Sequence, residues 1–160
     1  MTASWLPADF EHPLHVSLGD GVHLRPISAD DLEIDMPAVM GNQPALWAKY
    51  GEAWGWPPAD MSAEADREDL DRHAREMVTH ESFNYAILPA SEEALYGCVY
   101  IDPAEGDGAD ALAGPAADVS FWVTADAPAG LGARVTEFVP EWFAREWPFA
   151  TVRYPFGEVG

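Results

Sequence analysis

The chain has 160 residues, 48% of them hydrophobic, enough for one domain with a core of its own. Twenty-eight Asp and Glu stand against eight Lys and Arg, a formal net charge of −20. The eight basic residues form no cluster, which excludes a nucleic-acid-binding surface and disfavours an anionic membrane surface. The same field favours cationic partners: amines, polyamines, basic peptides or metal ions.

Cys98 is the only cysteine, so no intrachain disulfide forms. The opening MTASWLPADFEHP lacks the basic and apolar regions of a signal peptide. No apolar run approaches the roughly 18 residues that read as a membrane span. The expectation is a cytoplasmic protein of one domain, residues 1–160.

Residues 1–12 show neither helical nor strand period and read as an N-terminal arm. In LHVSLGDGVHLRPI, apolar residues alternate on both sides of Gly19-Asp20-Gly21, which predicts a β-hairpin. Ser28 is an N-cap with Asp30 and Asp31 behind it, followed by the stripe Leu32, Met36 and Val39. Pro37 predicts a break there. A short helix over 44–50 follows, then GEAWGWPP as a structured loop.

Ser62 opens the clearest helix, with Leu70, Ala74, Met77 and Val78 as its apolar stripe. SFNYAILP and ALYGCVYID read as two strands joined by a short loop. AEGDGADALAGPAA carries little information and reads as a mobile loop. ADVSFWVTA is another strand; Val119, Phe121 and Val123 point one way and Asp118, Ser120 and Trp122 the other. GLGARVTEFVPEWFAREW is an apolar-faced helix that Pro140 interrupts, and FATVRYPF is a last strand before a short polar tail. Successive hairpins predict antiparallel pairing, and the terminal strand–helix–strand predicts one parallel pair. The fold class is therefore α/β (α+β): a mixed, mostly antiparallel twisted sheet flanked by helices.

Four segments, in this order, resemble the GNAT family of acyl-CoA N-acyltransferases. His23-Leu24-Arg25-Pro26-Ile27 running into Ser28–Leu32 resembles its opening strand and first helix. Leu95–Asp102 resembles its Gly-containing apolar strand. Ala117–Ala127 is similar to the central strand whose end splays to admit pantetheine. Gly130-Leu131-Gly132-Ala133-Arg134 is similar to its phosphate loop. That loop has a physical logic of its own. A Gly-rich turn lets backbone N–H groups approach a phosphate, and the helix N-terminus behind it adds partial positive charge. Coenzyme A carries a pyrophosphate, and Arg134 would add a side-chain contact. The competing reading is that Gly130 and Gly132 merely end a loop.

The pattern departs from the family in two places. Ala127 stands where the family has Gln or Arg, and Pro128 intrudes. The sequence also ends soon after Phe149–Phe156, where the family continues with a helix and two strands. The expectation is a shortened fold, completion by a partner copy in a homodimer, or lost catalysis.

The resemblance implies acetyl-CoA as acyl donor and a small amine as acceptor. Backbone near Val123 and Thr124 would polarise the thioester carbonyl. Asp118, Glu81 and His23 are candidates for the base, with Asp118 favoured for its place on the strand facing the acyl group; a solvated strand-end acid is the alternative. Tyr154 and Tyr100 are candidates to protonate the thiolate, with Tyr154 favoured, or are packed strand tyrosines. Tyr50, Trp54 and Trp56, with Trp47 near them, line an acceptor pocket and hold a cation by their ring faces, or form a satellite core. His73, Glu76 and His80 share a helix flank, yet no Cys or HExxH arrangement accompanies them, and no metal site is expected. Cys98 reads as core. An alternative to the N-acetyltransferase is a non-catalytic module on the same fold that binds CoA or another small ligand.

Overall fold

The computed structural model describes residues 5–159. Strands β1 (Val16–Gly19) and β2 (Val22–Pro26) form the expected hairpin. Helices α1 (Leu32–Gly41), α2 (Gln43–Trp54) and α3 (Ala63–Thr79) follow. Strands β3 (Phe83–Pro89), β4 (Gly97–Pro103) and β5 (Ala116–Val123) come next, then α4 (Leu131–Glu146) and β6 (Thr151–Arg153). The six strands form one sheet in chain order. Every pair is antiparallel except β5–β6, which is parallel as expected.

The start signals act as the sequence indicates. The Ser28 hydroxyl accepts from the Asp30 N–H, and Asp31 reaches back to the Ser28 N–H. Ser62 accepts from the Ala65 N–H at 3.1 Å. Pro37 and Pro140 do not interrupt their helices. Each removes a backbone bond, but the buried Val39 on α1 and the buried Val135, Val139, Trp142 and Phe143 on α4 hold the helices to the core across the defect. Helix α2 runs four residues past its expected end, so Trp54 is helical rather than in a loop. Gly55, at φ +63°, closes it with an N–H bond to the Gly51 carbonyl. Val78 is 82% exposed and off the α3 stripe.

The described part of the N-terminal segment packs on the body of the fold. Trp5 Nε1 donates to the His80 carbonyl at 2.7 Å and its ring stacks on Phe149. Leu6 is buried, and Phe10 packs on Trp147. Residues 1–4 lie outside the described residues. In the 104–115 segment a 3₁₀ turn forms at Ala109–Ala111, and Thr151 Oγ1 donates to the Ala113 carbonyl.

Strand alternation gives the sheet two working faces. Tyr85, Val99 and Phe121 lie in register across β3, β4 and β5 and face α4, with Tyr85 edge-on to Trp142. Asn84, Tyr100 and Ser120 form the neighbouring register row and face α1–α3. Gly97 on β4 has no room for a side chain against β5. A Cβ there would stand 2.0 Å from the Trp122 carbonyl oxygen.

Candidate functional site

The parallel β5–β6 pair covers three positions only: Ala116 with Thr151, Ala117 with Val152, and Asp118 with Arg153. Beyond them β5 continues alone to Val123. Asp118 sits at the root of this divergence. Arg153 donates to both its carboxylate oxygens, at 2.6 and 2.8 Å, and the Glu105 N–H adds a third bond.

That unpaired edge, the groove in which an extended ligand would lie, is not bare. Glu158, from the segment after β6, accepts from the Phe121 N–H at 3.1 Å and from Ser120 Oγ at 2.5 Å. Lys49 on α2 donates to the Phe121 carbonyl at 2.6 Å and pairs with Glu158 at 2.8 Å. An ion pair thus bonds both backbone groups of Phe121, as a neighbouring strand would. Burial opposes ionisation of Glu158, but Lys49 and Ser120 outweigh it and hold the carboxyl below its usual range. The Ser120 hydrogen goes to Glu158, so the Tyr50 hydroxyl, 2.7 Å away, donates to Ser120. Along β5 the edge groups alternate by two. The Val123 N–H therefore faces the groove like that of Phe121, whereas the Thr124 N–H turns to β4 and bonds the Tyr96 carbonyl.

At the far end of β5 the chain turns into α4 through Gly130, at φ +83°, a conformation that favours glycine. The Leu131 N–H bonds back to Pro128 and that of Arg134 to Gly130. Gly132 and Ala133, exposed in the first turn, have no intrahelical acceptor for their N–H groups. A Cβ on Gly132 would meet no atom within 4 Å. Arg134 points elsewhere than the sequence suggested. Its guanidinium donates to the Leu18 and Gly19 carbonyls at 3.0 and 2.9 Å, with Asp20 3.6 Å away, and so fastens the β1–β2 turn to α4.

On the other face of the sheet a cavity of about 710 Å³ opens between α1–α3 and the Asn84–Tyr100–Ser120 row. Trp54, Trp56, Tyr100 and Phe156 supply aromatic wall. Trp54 stacks on the fully buried Tyr50 at 4.3 Å, and both meet Tyr100 and Phe156 edge-on. Trp47, 46% exposed, lies outside this wall. Asp118 and Ser120 reach the cavity from β5, so it and the groove share that strand.

The cavity holds acids that the sequence reading passed over. Burial, with Glu76, Glu105 and Asp118 nearby, pushes Asp102 up to about 7, against the pull of Arg72. Burial, and then a hydrogen bond to Asp66, drives Asp35 well above the carboxylate range, so Asp35 carries the proton of that pair. Burial and then Arg72 push His73 down to about 4, which leaves a neutral imidazole. One signal for Asp66 was present: it lies four residues before Leu70, on the stripe that runs to Met77.

Tyr154 is half-buried next to the groove, its ring 6.5 Å from Phe121, and burial followed by Glu158 raises its hydroxyl to about 12. The remaining candidates lie elsewhere. His23 bonds Glu92, and Glu81 accepts from Thr79 at the exposed end of α3. His73 and Glu76 line the cavity, but His80 caps α3 and meets His12 and Phe10. Cys98 is buried, as expected. No helix among the described residues is long and apolar enough to cross a membrane.

No protein-family model and no curated protein matches the sequence. Solved structures do match the fold. The ribosomal-protein-S5-alanine acetyltransferase of Vibrio fischeri aligns at a TM-score of 0.57 and 14% identity, over 82% of this chain and 68% of its own. The Salmonella typhimurium acetyl transferase that modifies the N-terminal serine of L7/L12 aligns at 0.61 and 14%, over 82% and 68%. Spermidine N-acetyltransferase of Vibrio cholerae, in complex with CoA and spermine, aligns at 0.51 and 10%, over 79% and 66%. The fold is that of the GNAT acetyltransferases, as the sequence resemblance implied.

Proposed function

We propose that this chain transfers an acetyl group from acetyl-CoA to the nitrogen of a small amine. The observation that carries the reading is the divergence of β5 from β6. It leaves the β5 edge without a strand partner as far as Val123, toward the N-terminus of α4, and the same strand borders an acid- and aromatic-lined cavity.

The α4 end fits the acyl donor's pyrophosphate. Gly130, Leu131, Gly132 and Ala133 would hold it by backbone, because Gly132 leaves open space and the first-turn N–H groups lack acceptors. The fit is partial, since Arg134 is engaged by the hairpin turn and Glu158 occupies the Phe121 N–H. Bound acetyl-CoA supplies an activated acyl carbon. The Val123 N–H is placed to polarise its carbonyl; the Thr124 N–H is not.

Asp102 is the base we assign. It lines the cavity, and at about 7 it is matched to taking a proton from an ammonium near neutral pH. Asp118 is a positioning residue, its oxygens committed to Arg153 at the fork of the strands. Tyr154 stays protonated at neutral pH and serves as proton donor to the leaving thiolate. Tyr50, Trp54 and Trp56 bound the acceptor side.

The test is twofold: a melting-temperature shift with acetyl-CoA, then release of free thiol across an amine panel. No shift at millimolar acetyl-CoA or CoA sinks the reading. One observation favours a second reading, a CoA-binding module without turnover: the Lys49–Glu158 pair already bonds the Phe121 backbone groups. A shift without thiol release from any amine would establish it.

A further inference from the structure

Asp66 on α3 is 2% exposed, and apart from the one bond that Asp35 makes to its carboxylate, its buried Oδ2 has no hydrogen-bond partner. Asn84 on β3 is 3% exposed, and its Oδ1 has none either. Helix α3 packs against β3, and both residues line the same cavity. A buried acceptor without a donor costs roughly 1–3 kcal/mol. Asn84 Oδ1, with an Asp66 carboxylate that Asp35 satisfies only in part, describes a site on facing elements that takes a hydrogen-bond donor from outside the chain.

The surroundings say which donor. Burial raises both carboxyls, but Asp35 is driven the further and donates to Asp66, so Asp66 is the member of the pair that ionises first. Among the described residues no cation pairs with it: Arg72 is engaged by Asp69 and Glu76, and His73 is neutral. A primary ammonium brings three donors and the missing charge. Trp54, Trp56 and Tyr100 offer ring faces to a cation and apolar surface to methylenes. Among the lining residues seven are acids, and Arg72 is already paired with Asp69 and Glu76, so a ligand carboxylate, and with it an amino acid, fits poorly.

We propose that the acceptor is a linear diamine or polyamine, with one ammonium held by Asp66 and Asn84 while a second amine reaches the β5 edge. Its methylene chain lies along Trp54, Trp56 and Tyr100. This inference rests on the acetyl-transfer reading for the reacting end, but the ammonium site stands on its own observations.

The test compares 1,6-diaminohexane and spermidine with hexylamine, first by calorimetry without acetyl-CoA. The diamine and spermidine are expected to bind at least tenfold tighter than hexylamine. Asp66→Asn, in which Asp35 still has an oxygen to donate to, and Asn84→Leu are each expected to weaken diamine binding at least tenfold. The acetyl-CoA melting shift serves as the control for folding in both variants. Equal affinity for hexylamine and the diamine, or unchanged diamine binding in both variants, overturns the proposal. Thiol release then separates the two readings. Selective diamine binding without turnover sinks acetyl transfer and leaves the site standing. Turnover of hexylamine as efficient as that of the diamine sinks the site and leaves acetyl transfer standing.

Discussion

Glu158 accepts a hydrogen bond from the Phe121 N–H, at the point where β5 has lost its neighbouring strand. A side chain from the segment after β6 thus bonds the edge that the proposed acyl donor would need. Glu158→Ala removes that competitor and one negative charge. It is expected to tighten acetyl-CoA binding about tenfold, on the order of 1.4 kcal/mol. Calorimetry checks this, and an unchanged Kd would mean that the donor never meets Glu158. The variant should also lose about 1–2 kcal/mol of stability, because Lys49 is left without its carboxylate.

Gly132 and Arg134 make a contrasting pair. A side chain at 132 meets nothing within 4 Å, so Gly132→Val is expected to fold and to lose the acetyl-CoA melting shift. Arg134→Ala should do the reverse. It frees the β1–β2 turn at a cost of about 1–2 kcal/mol while the shift persists. Thermal melts with and without acetyl-CoA separate the two. Loss of the shift in Arg134→Ala would return that guanidinium to the phosphate site.

Asp102 makes a pH signature in both rate and stability. Its deprotonated form is the base, so kcat/KM should rise with pH through a midpoint near 7, and Asp102→Asn should lose that limb. The groups facing it are Glu76 and Arg72 on α3, Glu105, and Asp118 on β5. Linkage gives the sign for stability. The folded state keeps this proton up to about 7, whereas the unfolded chain releases it near 3.8, so stability falls as pH rises between those values. Asp102→Asn is expected to melt above the wild type at pH 8 and close to it at pH 4. The same melting temperature at pH 8 would remove Asp102 as a strained acid.

Tyr154→Phe keeps the ring beside Phe121 and removes the proton. The expected result is a kcat about a hundredfold lower with KM for the amine little changed. A substrate with a much better leaving thiolate should recover part of the loss. Unchanged kcat would assign the proton to another donor.

Much of the fold was legible because it is written in local patterns. Period-two runs marked the strands, and the strand, glycine turn and helix at the C-terminal end marked the single parallel pair. The end of α2 was less legible, because GEAWGWPP has the Gly and Pro content of a loop although its first four residues are helical. Only Gly55 closes α2, while Gly51 lies within the helix against Trp47. The site was less legible because its chemistry depends on long-range placement. Glu158 reads as one acid in a polar tail until the fold brings it 37 residues back to Phe121. Asp118 has the right strand and face, but its partner, Arg153, is visible only once β6 is paired. Asp66 stands in the first turn of α3, where an acid suits the helix dipole, and only its burial shows it facing inward.

Lys49 is the only lysine of the chain, and its ammonium lies between the Phe121 carbonyl and Glu158. Nature has therefore placed a single-site chemical reporter inside the groove. An acylating or arylating reagent has one side-chain amine to label, told apart from the α-amine by peptide mapping. Its rate of labelling measures how often the latch made by Glu158 lets go, with no substrate, no mutation and no assumption about turnover.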